Sequence, residues 1–336
     1  MKIEGKTYFL DLRHPFGISR GTRSSVASFV AVIEWGDVQG FGEATVNPYY
    51  KTSIEDFESK LLQNKSLLML EELIHPTLYW DKLRIVLGDS YFLICALDQA
   101  YWDVYAQVCK STTRTLLGYS NTSKLQTSYT IGLDSKDKML DKMLATPWPI
   151  YKIKLGGDED LEILRELRKH TESIFRVDPN GGWSVDQLLS WEEELQDLGV
   201  EFIEQPLPAE NWKGSRKVYE RSRIPIIADE SCLVEEDVSR CAGYFHGINI
   251  KLMKCGGITP AIRMIKEAQK LQLKIMMGCM TESSIGISAI GQFLDVLDYV
   301  DMDGALLLSN DPAYGVQIEN GKVIYPDRLG SGGRLY

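Results

Sequence analysis

The stretch IYKIKLGGDEDLEILRELRKHTESIFRVDPNGG, residues 150–182, contains two kinds of local pattern in alternation. Its apolar runs at 150–155 and 174–178 have the length of buried strands, and each run leads into a glycine-containing turn. Between them, residues 160–168 repeat leucine or isoleucine at the spacing of a helix with one apolar face. A strand, a helix and a second strand in this order predict two neighbouring parallel strands.

The same alternation continues through most of the chain after residue 125. Eight short apolar runs are separated by amphipathic segments, and they read SYTIGL, IYKIKLGG, IFRVDPNGG, VEFIEQPL, IPIIADES, GINIKL, KIMMGC and YVDMDGALL. This repetition favours an α/β fold in which a parallel barrel is wrapped by helices, the (β/α)7β-type TIM barrel. We place this barrel domain at residues 123–310.

The remaining segments lie on either side of the barrel in the sequence. Residues 1–50 contain runs rich in β-branched residues, such as SVASFVAVIEW at 25–35, and predict antiparallel strands. Residues 53–117 have helical patterns, so we predict an α+β capping domain at 1–122. The glycine-rich segment 311–336 contains one predicted strand, VQIENGKVIYP, and we expect this segment to pack back on the capping domain.

The composition narrows the choice of partners. Of the 336 residues, 44% are hydrophobic and 25% are charged, and the net charge is −10. An acidic chain disfavours nucleic acid and anionic membranes as partners, because both attract basic surfaces. No apolar run has the length of a signal-peptide core or a membrane span, and the six cysteines form no CxxC pair. We therefore expect a cytoplasmic protein with reduced thiols, and a homo-oligomer is compatible with the sequence.

Charged residues end five successive apolar runs of the predicted barrel. These residues are Lys154, Asp178, Glu204, Asp229 and Lys251, at steps of 24, 26, 25 and 22 residues, one strand–helix unit each. Catalytic groups of such barrels lie at the carboxyl ends of the strands. The pattern therefore predicts that the five side chains meet at one end of the barrel.

Three consecutive strands contribute one carboxylate each, from Asp178, Glu204 and Asp229. Three acids at one place repel one another and resist ionisation unless a cation lies between them. Oxygen ligands without histidine or cysteine favour Mg²⁺ over zinc. The acids therefore predict one Mg²⁺ per subunit. The alternative, that each acid caps a helix or forms an ion pair of its own, stays open for any single residue.

Lysines lie on both sides of the three acids along the chain. Lys152 and Lys154 share one face of the preceding strand, and Lys251 ends the strand that follows. This arrangement suits the removal of a proton from one face of a carbon and its return to the other face. Repulsion from Lys152 is expected to weaken the hold of Lys154 on its proton. Lys254 competes with Lys251 for the second role, but it lies in the loop after the run GINIK.

Several motifs together resemble the enolase superfamily over nearly the whole length of the chain. They are GFGEA (40–44), ALDQAYWDVYAQ (96–107), the KxK of Lys152 and Lys154, VDPNGGW, IEQPL, IADES and IKLMKCGG. Within that superfamily they are similar to the muconate-lactonizing enzyme subgroup. The resemblance implies that Lys154 and Lys251 are the two bases of a reaction that passes through an enediolate. It also implies that Asp178, Glu204 and Asp229 bind Mg²⁺.

The motif DxD, Asp301 and Asp303, resembles that of the dipeptide epimerases within this subgroup. There the two carboxylates hold the N-terminal ammonium of the substrate, and Thr130 also resembles a substrate-contacting position. Side chains two residues apart on a strand face the same way, so a pair of acids at a strand end suits a cation. The resemblance implies a Mg²⁺-dependent epimerase that inverts the C-terminal α-carbon of a small dipeptide, such as Ala-Glu, by a two-base 1,1-proton transfer.

Residues that select the dipeptide side chain are expected in loops of the capping domain. The candidates are Arg20, Arg23 and Tyr50. The two arginines would suit an acidic side chain, because guanidinium groups bind carboxylates well. Gly21, however, takes the place of the arginine found in Ala-Glu epimerases, and solvation of both arginines at the surface is the alternative.

Other activities of the superfamily remain as alternatives. Acid-sugar dehydratases carry a catalytic histidine on the seventh strand, whereas the run KIMMGCM contains none. The enzymes o-succinylbenzoate synthase, N-succinylamino acid racemase and muconate cycloisomerase share the lysines and the metal ligands, so only the DxD motif argues against them. A barrel that binds metal without catalysis is a more distant alternative, because both lysines and all three acids are present.

Overall fold

An antiparallel sheet forms the N-terminal part of the chain. The structure, a computed structural model, describes residues 1–18, 21–120, 122–157 and 159–336. The sheet consists of β1 (Lys2–Ile18), β2 (Gly21–Trp35) and β3 (Val38–Thr45), paired in that order. The central strand β2 carries the β-branched and aromatic residues of the predicted run, and most of them are buried.

In the described part of the chain, four α-helices follow this sheet before the barrel begins. They are α1 (Ile54–Leu68), α2 (Pro76–Leu87), α3 (Tyr91–Val108) and α4 (Thr113–Leu116). The longest helix, α3, is almost wholly buried and lies directly on β3. A Cβ atom at Gly40 or Gly42 would lie 2.2 or 2.0 Å from a backbone oxygen of α3, so the close approach requires glycine. Packing against α3 therefore accounts for the two glycines of GFGEA.

Eight parallel strands form a nearly closed barrel. They are β4 (Tyr129–Ile131), β5 (Ile150–Lys154), β6 (Ile174–Asp178), β7 (Val200–Glu204), β8 (Ile226–Ala228), β9 (Gly247–Ile250), β10 (Lys274–Gly278) and β11 (Tyr299–Asp301). They pair in chain order, and a bridge between Thr127 and Val300 joins the first and last strand regions. Each of the eight apolar runs forms its predicted strand, which confirms the predicted barrel.

Helices connect the strands around the barrel. They are α5 (Lys136–Ala145), α6 (Asp160–Arg168), α7 (Val185–Asp197), α8 (Trp212–Arg221), α9 (Asp237–Cys241), α10 (Leu252–Cys255), α11 (Ile258–Lys270) and α12 (Ser284–Ile290). Helix α7 begins at a capping box, in which Ser184 accepts from the backbone of Gln187 at 3.2 Å and the Gln187 side chain accepts in return. Among the described residues, none of the helices has the length and apolar character that crossing a membrane requires.

The last segment of the chain returns to the N-terminal part. Its short strands are β12 (Ala313–Tyr314), β13 (Gln317–Glu319), β14 (Lys322–Ile324) and β15 (Arg334–Leu335). The backbone N–H of Ser331 donates to Asp103 on α3 at 2.7 Å, and Arg334 pairs with the same carboxylate at 2.8 Å. The domain boundaries at 122 and 310 stay predictions.

The prediction of a single strand within VQIENGKVIYP is wrong. Asn320 and Gly321 have positive φ angles of 47° and 80°, and they turn the chain so that β13 and β14 pair as a hairpin. Asn-Gly is the preferred pair for such two-residue turns. The turn signal was therefore present in the sequence.

Candidate active site

A cavity of about 470 Å³ opens at the carboxyl ends of the barrel strands. Its barrel side includes Thr130, Lys152, Lys154, Asp229, Lys251, Asp301 and Asp303, and its N-terminal side includes Leu12, Phe16, Arg23, Asn47 and Tyr50. Barrels of this kind place their reactive groups at this end. The cavity is therefore the candidate active site.

Lys154 and Lys251 lie on opposite walls of the barrel. Lys154 ends β5 and Lys251 follows β9, and these strands stand four positions apart in a ring of eight. The Nζ of Lys154 donates to Asp178 Oδ2 at 2.5 Å, and that of Lys251 donates to Asp229 Oδ2 at 2.7 Å. Both side chains are buried and line the cavity. A carbon held between them is open to one lysine from each face.

The three acids lie at the ends of β6, β7 and β8, and at most 1% of each is exposed. Burial and the charge of Asp178 raise the pKa of Glu204 to about 7. Burial would also raise the pKa of Asp229, but Lys251 and Lys254 outweigh it and hold that pKa well below its usual range. These opposite shifts follow from crowding of like charges with unequal access to cations.

Lys152 lies within reach of three carboxylates. Its Nζ is 2.7 Å from Glu204 Oε2, 2.9 Å from Asp301 Oδ2 and 3.2 Å from Asp178 Oδ2. Burial would lower the pKa of Lys152, but these acids outweigh it and hold that pKa well above its usual range. The carboxylates neutralise much of the charge that was expected to act on Lys154. The tuning role of Lys152 therefore stays a prediction, and its contacts give it a further role as a bridge between acids.

The three acids supply the donor set for a metal ion. Among the described residues, no three carboxylate, imidazole or thiolate groups stand close enough together to hold one, because the acids turn toward lysines. One oxygen of the fully buried Glu204, Oε2, nevertheless has no hydrogen bond of acceptable geometry, although Lys152 is near. Its other oxygen accepts from Asn249 Nδ2 at 2.8 Å. Three buried carboxylates with an oxygen left over fit a hard cation such as Mg²⁺.

Lys254 points away from the cavity and is saturated with acceptors. Its Nζ donates to Asp229 Oδ1 at 2.6 Å and to the backbone oxygens of Asp229, Cys232 and Asn249 at 2.7 to 3.0 Å. It therefore fixes the rotamer of Asp229 from behind. The structure brings Lys251, and not Lys254, to the cavity. The sequence contained the second lysine but no sign of this positioning role.

Lys254→Met is expected to destabilise the fold by about 3–5 kcal/mol, since it leaves a buried carboxylate without one of its cations and removes a hydrogen bond from each of three carbonyl groups. Lys251 faces the cavity, so Lys251→Met is expected to lower the free energy of unfolding by clearly less. Urea unfolding at equilibrium measures both. Equal losses for the two variants would contradict the assignment of Lys254 to the interior.

The two acids of the DxD motif lie at the carboxyl end of β11 and line the cavity. Asp301 accepts from Ser128 Oγ and from Lys152 Nζ, both at 2.9 Å. Asp303 accepts from the backbone N–H of Thr130 at 2.6 Å, and burial together with Asp301 raises its pKa to about 7. Among the described side chains, no ammonium or guanidinium group lies within 4 Å of Asp303. A cation in the cavity would relieve the repulsion between the two acids.

Residues from the N-terminal part form the opposite side of the cavity. Arg23 lies on β2, and its Nη2 is 3.5 Å from Asn47 Oδ1. Tyr50 is largely buried, which raises the pKa of its hydroxyl above the usual range. Arg20, the other predicted arginine, lies outside the described residues. Arg23 and Tyr50 thus line the cavity, and their contacts with substrate stay predictions.

Comparisons with known proteins agree with this fold. Residues 137–335 match the family model of enolase C-terminal domain-like proteins. The L-Ala-D/L-amino acid epimerase of Flavobacterium johnsoniae is 48% identical over 332 residues, which cover 99% of each chain. The L-Ala-D/L-Glu epimerase of Bacteroides thetaiotaomicron is 35% identical over 99% of this chain and 87% of that protein.

Solved structures show the same relationship. The dipeptide epimerase of Methylococcus capsulatus, complexed with Mg and the dipeptide L-Arg-D-Lys, superposes with a TM-score of 0.93 at 31% identity over the whole of both chains. The L-Ala-D/L-Glu epimerase of Bacillus subtilis gives 0.92 at 26% identity over 99% of both. The chain therefore belongs to the enolase superfamily. Within it the chain stands with the epimerases, and the predicted class of enzyme, an isomerase, is confirmed.

Proposed function

We propose that the protein is a Mg²⁺-dependent dipeptide epimerase that inverts the α-carbon of the C-terminal residue. The observation that carries the proposal is the position of Lys154 and Lys251 on opposite walls of the barrel, each bonded to an acid of the central cluster. The relatives named as epimerases, among them the Mg-complexed enzyme of M. capsulatus, support the same reaction.

The two lysines have complementary roles in the proton transfer. One lysine, as a neutral amine, takes the α-proton from its own face; the other, as an ammonium, gives a proton to the opposite face. The α-proton next to a carboxylate is a very weak acid, so the charge formed on its removal must be stabilised. Asp178, Glu204 and Asp229 would hold a Mg²⁺ ion, which would supply positive charge for this purpose.

Asp301 and Asp303 are proposed to receive the N-terminal ammonium of the dipeptide. Asp303 has a carboxylate that faces the cavity, and Thr130 orients it through a backbone hydrogen bond. An ammonium between the two acids would replace repulsion with two charge-assisted hydrogen bonds. The N-succinyl and succinylbenzoate substrates of the alternatives would instead bring a negative or neutral group to this pair.

Side-chain selection is proposed to lie with the N-terminal side of the cavity. Apolar side chains of Leu12 and Phe16 lie there beside Arg23 and Tyr50. The mixture suits residues of different kinds at the C-terminal position, and Arg23 would favour an acidic one. L-Ala-L-Glu and L-Ala-L-Leu are therefore the first substrates to compare.

Deuterium uptake tests the proposed function. With Mg²⁺ in deuterium oxide, an L,L-dipeptide should gain one deuteron at the C-terminal α-carbon while a D-epimer accumulates. Mass spectrometry and chiral chromatography measure the two events. If no member of a library of L-alanyl and other small dipeptides exchanges, the epimerase proposal is refuted.

Asp303→Asn is expected to raise the KM for dipeptides by about 10- to 100-fold, because a charge-assisted hydrogen bond to the ammonium is lost. Binding of Mg²⁺, measured by calorimetry, should change little, since Asp303 is separate from the three acids. N-acetyl dipeptides, which lack the ammonium, should be poor substrates of both proteins. Equal losses of Mg²⁺ and dipeptide binding would give Asp303 a purely structural role.

The location and the oligomeric state of the protein are also proposals. All six cysteines are free thiols, as expected in a reducing compartment. We therefore propose a cytoplasmic location. A homo-oligomer stays a prediction, which size-exclusion chromatography with light scattering would test.

A further inference from the structure

Glu43, the acid of GFGEA, is a buried carboxylate that the proposed chemistry does not use. It lies on β3, its side chain is fully buried, and both of its oxygens accept hydrogen bonds. Ser28 Oγ and Ser283 Oγ donate at 2.6 Å each, the backbone N–H of Ser283 donates to both oxygens at 3.0 Å, and that of Gly286 donates at 3.1 Å. So many donors fix the carboxylate in one orientation.

These hydrogen bonds cross from the N-terminal sheet to the barrel. Ser28 and Glu43 belong to neighbouring strands of the sheet, whereas Ser283 and Gly286 begin helix α12 after the barrel strand β10. Shortly after Glu43, residues 45–47 line the cavity; shortly before Ser283, residues 280–281 line it. Glu43 therefore stands between two segments of the cavity wall that come from distant parts of the chain.

We infer that Glu43 is a positioning residue that fixes these two wall segments relative to each other and so sets the shape of the dipeptide side-chain pocket. The inference rests on the proposed function. Strand β3 is then fixed in two ways. The glycines of the same motif let it pack closely on helix α3, and the Glu43 carboxylate holds its end against the barrel.

One further contact shows that the segments meet, and a second one shapes the barrel segment. The Nδ2 of Asn47 lies 3.7 Å from Met280 Sδ, so the two walls touch at the cavity. Glu282, also buried, accepts from the backbone N–H of Met280 at 2.7 Å and folds this loop back on itself. Burial and the nearby Glu43 raise the pKa of Glu282 well above its usual range, and burial also raises the pKa of Glu43.

Asp98 offers a matched control. It is a buried carboxylate on α3, and it joins the same two parts of the molecule by accepting from Thr259 N at 2.9 Å and from Thr259 Oγ1 at 2.8 Å at the start of α11. Among the described residues, no member of α11 lines the cavity. Loss of this joint should loosen the contact between barrel and cap without moving the pocket wall.

The test compares the unsubstituted protein with Glu43→Gln, Ser283→Ala and Asp98→Asn. An amide at position 43 places an NH₂ group against a backbone N–H in either orientation, so it weakens the joint while it keeps the volume of the side chain. We expect Glu43→Gln to raise KM for an L-alanyl dipeptide about tenfold with kcat within about threefold, because remote contacts position the substrate. Ser283→Ala should shift KM in the same direction, but less.

Thermal unfolding is measured alongside, and Asp98→Asn should lose comparable stability while it keeps the KM of the unsubstituted protein. If Glu43→Gln and Ser283→Ala lose stability but keep that KM, or if Asp98→Asn raises KM as much, the inference is overturned. If Glu43→Gln fails to fold, the KM and the stability of Ser283→Ala are compared with those of Asp98→Asn, and the same criteria decide. If the unsubstituted protein exchanges no α-proton of any dipeptide, the proposed function and the inference both fail. If it exchanges the proton but the Glu43→Gln and Ser283→Ala variants keep its KM, only the inference fails.

Discussion

Lys154→Ala and Lys251→Ala are each expected to lower the rate of epimerisation by at least about 10³-fold, the scale on which a general acid or base contributes to catalysis. Both lysines are needed because inversion requires loss of a proton from one face and its delivery to the other. The lysines stand on β5 and β9 at opposite walls, so neither can replace the other. The rate of D-epimer formation from an L,L-dipeptide, followed by chiral chromatography, measures the loss.

The same variants make a sharper prediction about exchange without inversion. The remaining lysine still reaches the α-proton of one epimer, so each variant should incorporate deuterium into one epimer only, and the two variants should choose opposite epimers. Lys138→Ala, at a lysine whose side chain is 70% exposed on α5, serves as the control and should behave like the unsubstituted protein. Normal epimerisation by either cavity variant would refute the two-base assignment.

Removal of Mg²⁺ with EDTA is expected to abolish exchange, and added Mg²⁺ should restore it. Glu204→Gln should show the same defect permanently, since it removes a carboxylate from the predicted ligand set. A readout apart from activity is available: saturation at 100 times Kd should stabilise the unsubstituted protein by about 2.7 kcal/mol. The midpoint of thermal unfolding should therefore rise with Mg²⁺ in the unsubstituted protein and stay nearly constant in Glu204→Gln.

Glu201→Gln provides the control for that experiment. Glu201 lies on the same strand β7 but near its other end, where it pairs with Arg176 at 2.7 Å. The midpoint of thermal unfolding of Glu201→Gln should rise with Mg²⁺ as much as that of the unsubstituted protein. Full exchange in the presence of excess EDTA would contradict the metal assignment, whatever the variants do.

The barrel and the positions of its charged residues were predictable because both follow from local rules. Each strand is a short apolar run, and the residue that ends a run must lie at the carboxyl end of the barrel. Lys154, Asp178 and Glu204 end their strands in the structure as the run boundaries predict. Asp229 and Lys251 follow their strands directly. The spacing of one unit per charged residue carried this information without any knowledge of side-chain contacts.

Partners of the buried groups were not predictable in the same way. Lys152 meets Asp301 across 149 positions of sequence, and Glu43 meets Ser283 across 240. Such contacts depend on how the cap and the barrel pack, and no local pattern encodes them. The hairpin of β13 and β14 is a different case, since the Asn320–Gly321 turn signal was available and the strand pattern on either side was merged into one run.

The lysines around the site have a consequence for how the enzyme matures. Four ammonium groups, those of Lys152, Lys154, Lys251 and Lys254, pair with Asp178, Glu204, Asp229 and Asp301, and Asp303 lies beside them. The interior is thus nearly balanced in charge without any divalent ion, unlike small zinc domains that are unfolded until their metal arrives. We therefore expect the chain to fold before it binds the ion. The fraction of molecules that hold the ion would then set the active fraction of the enzyme.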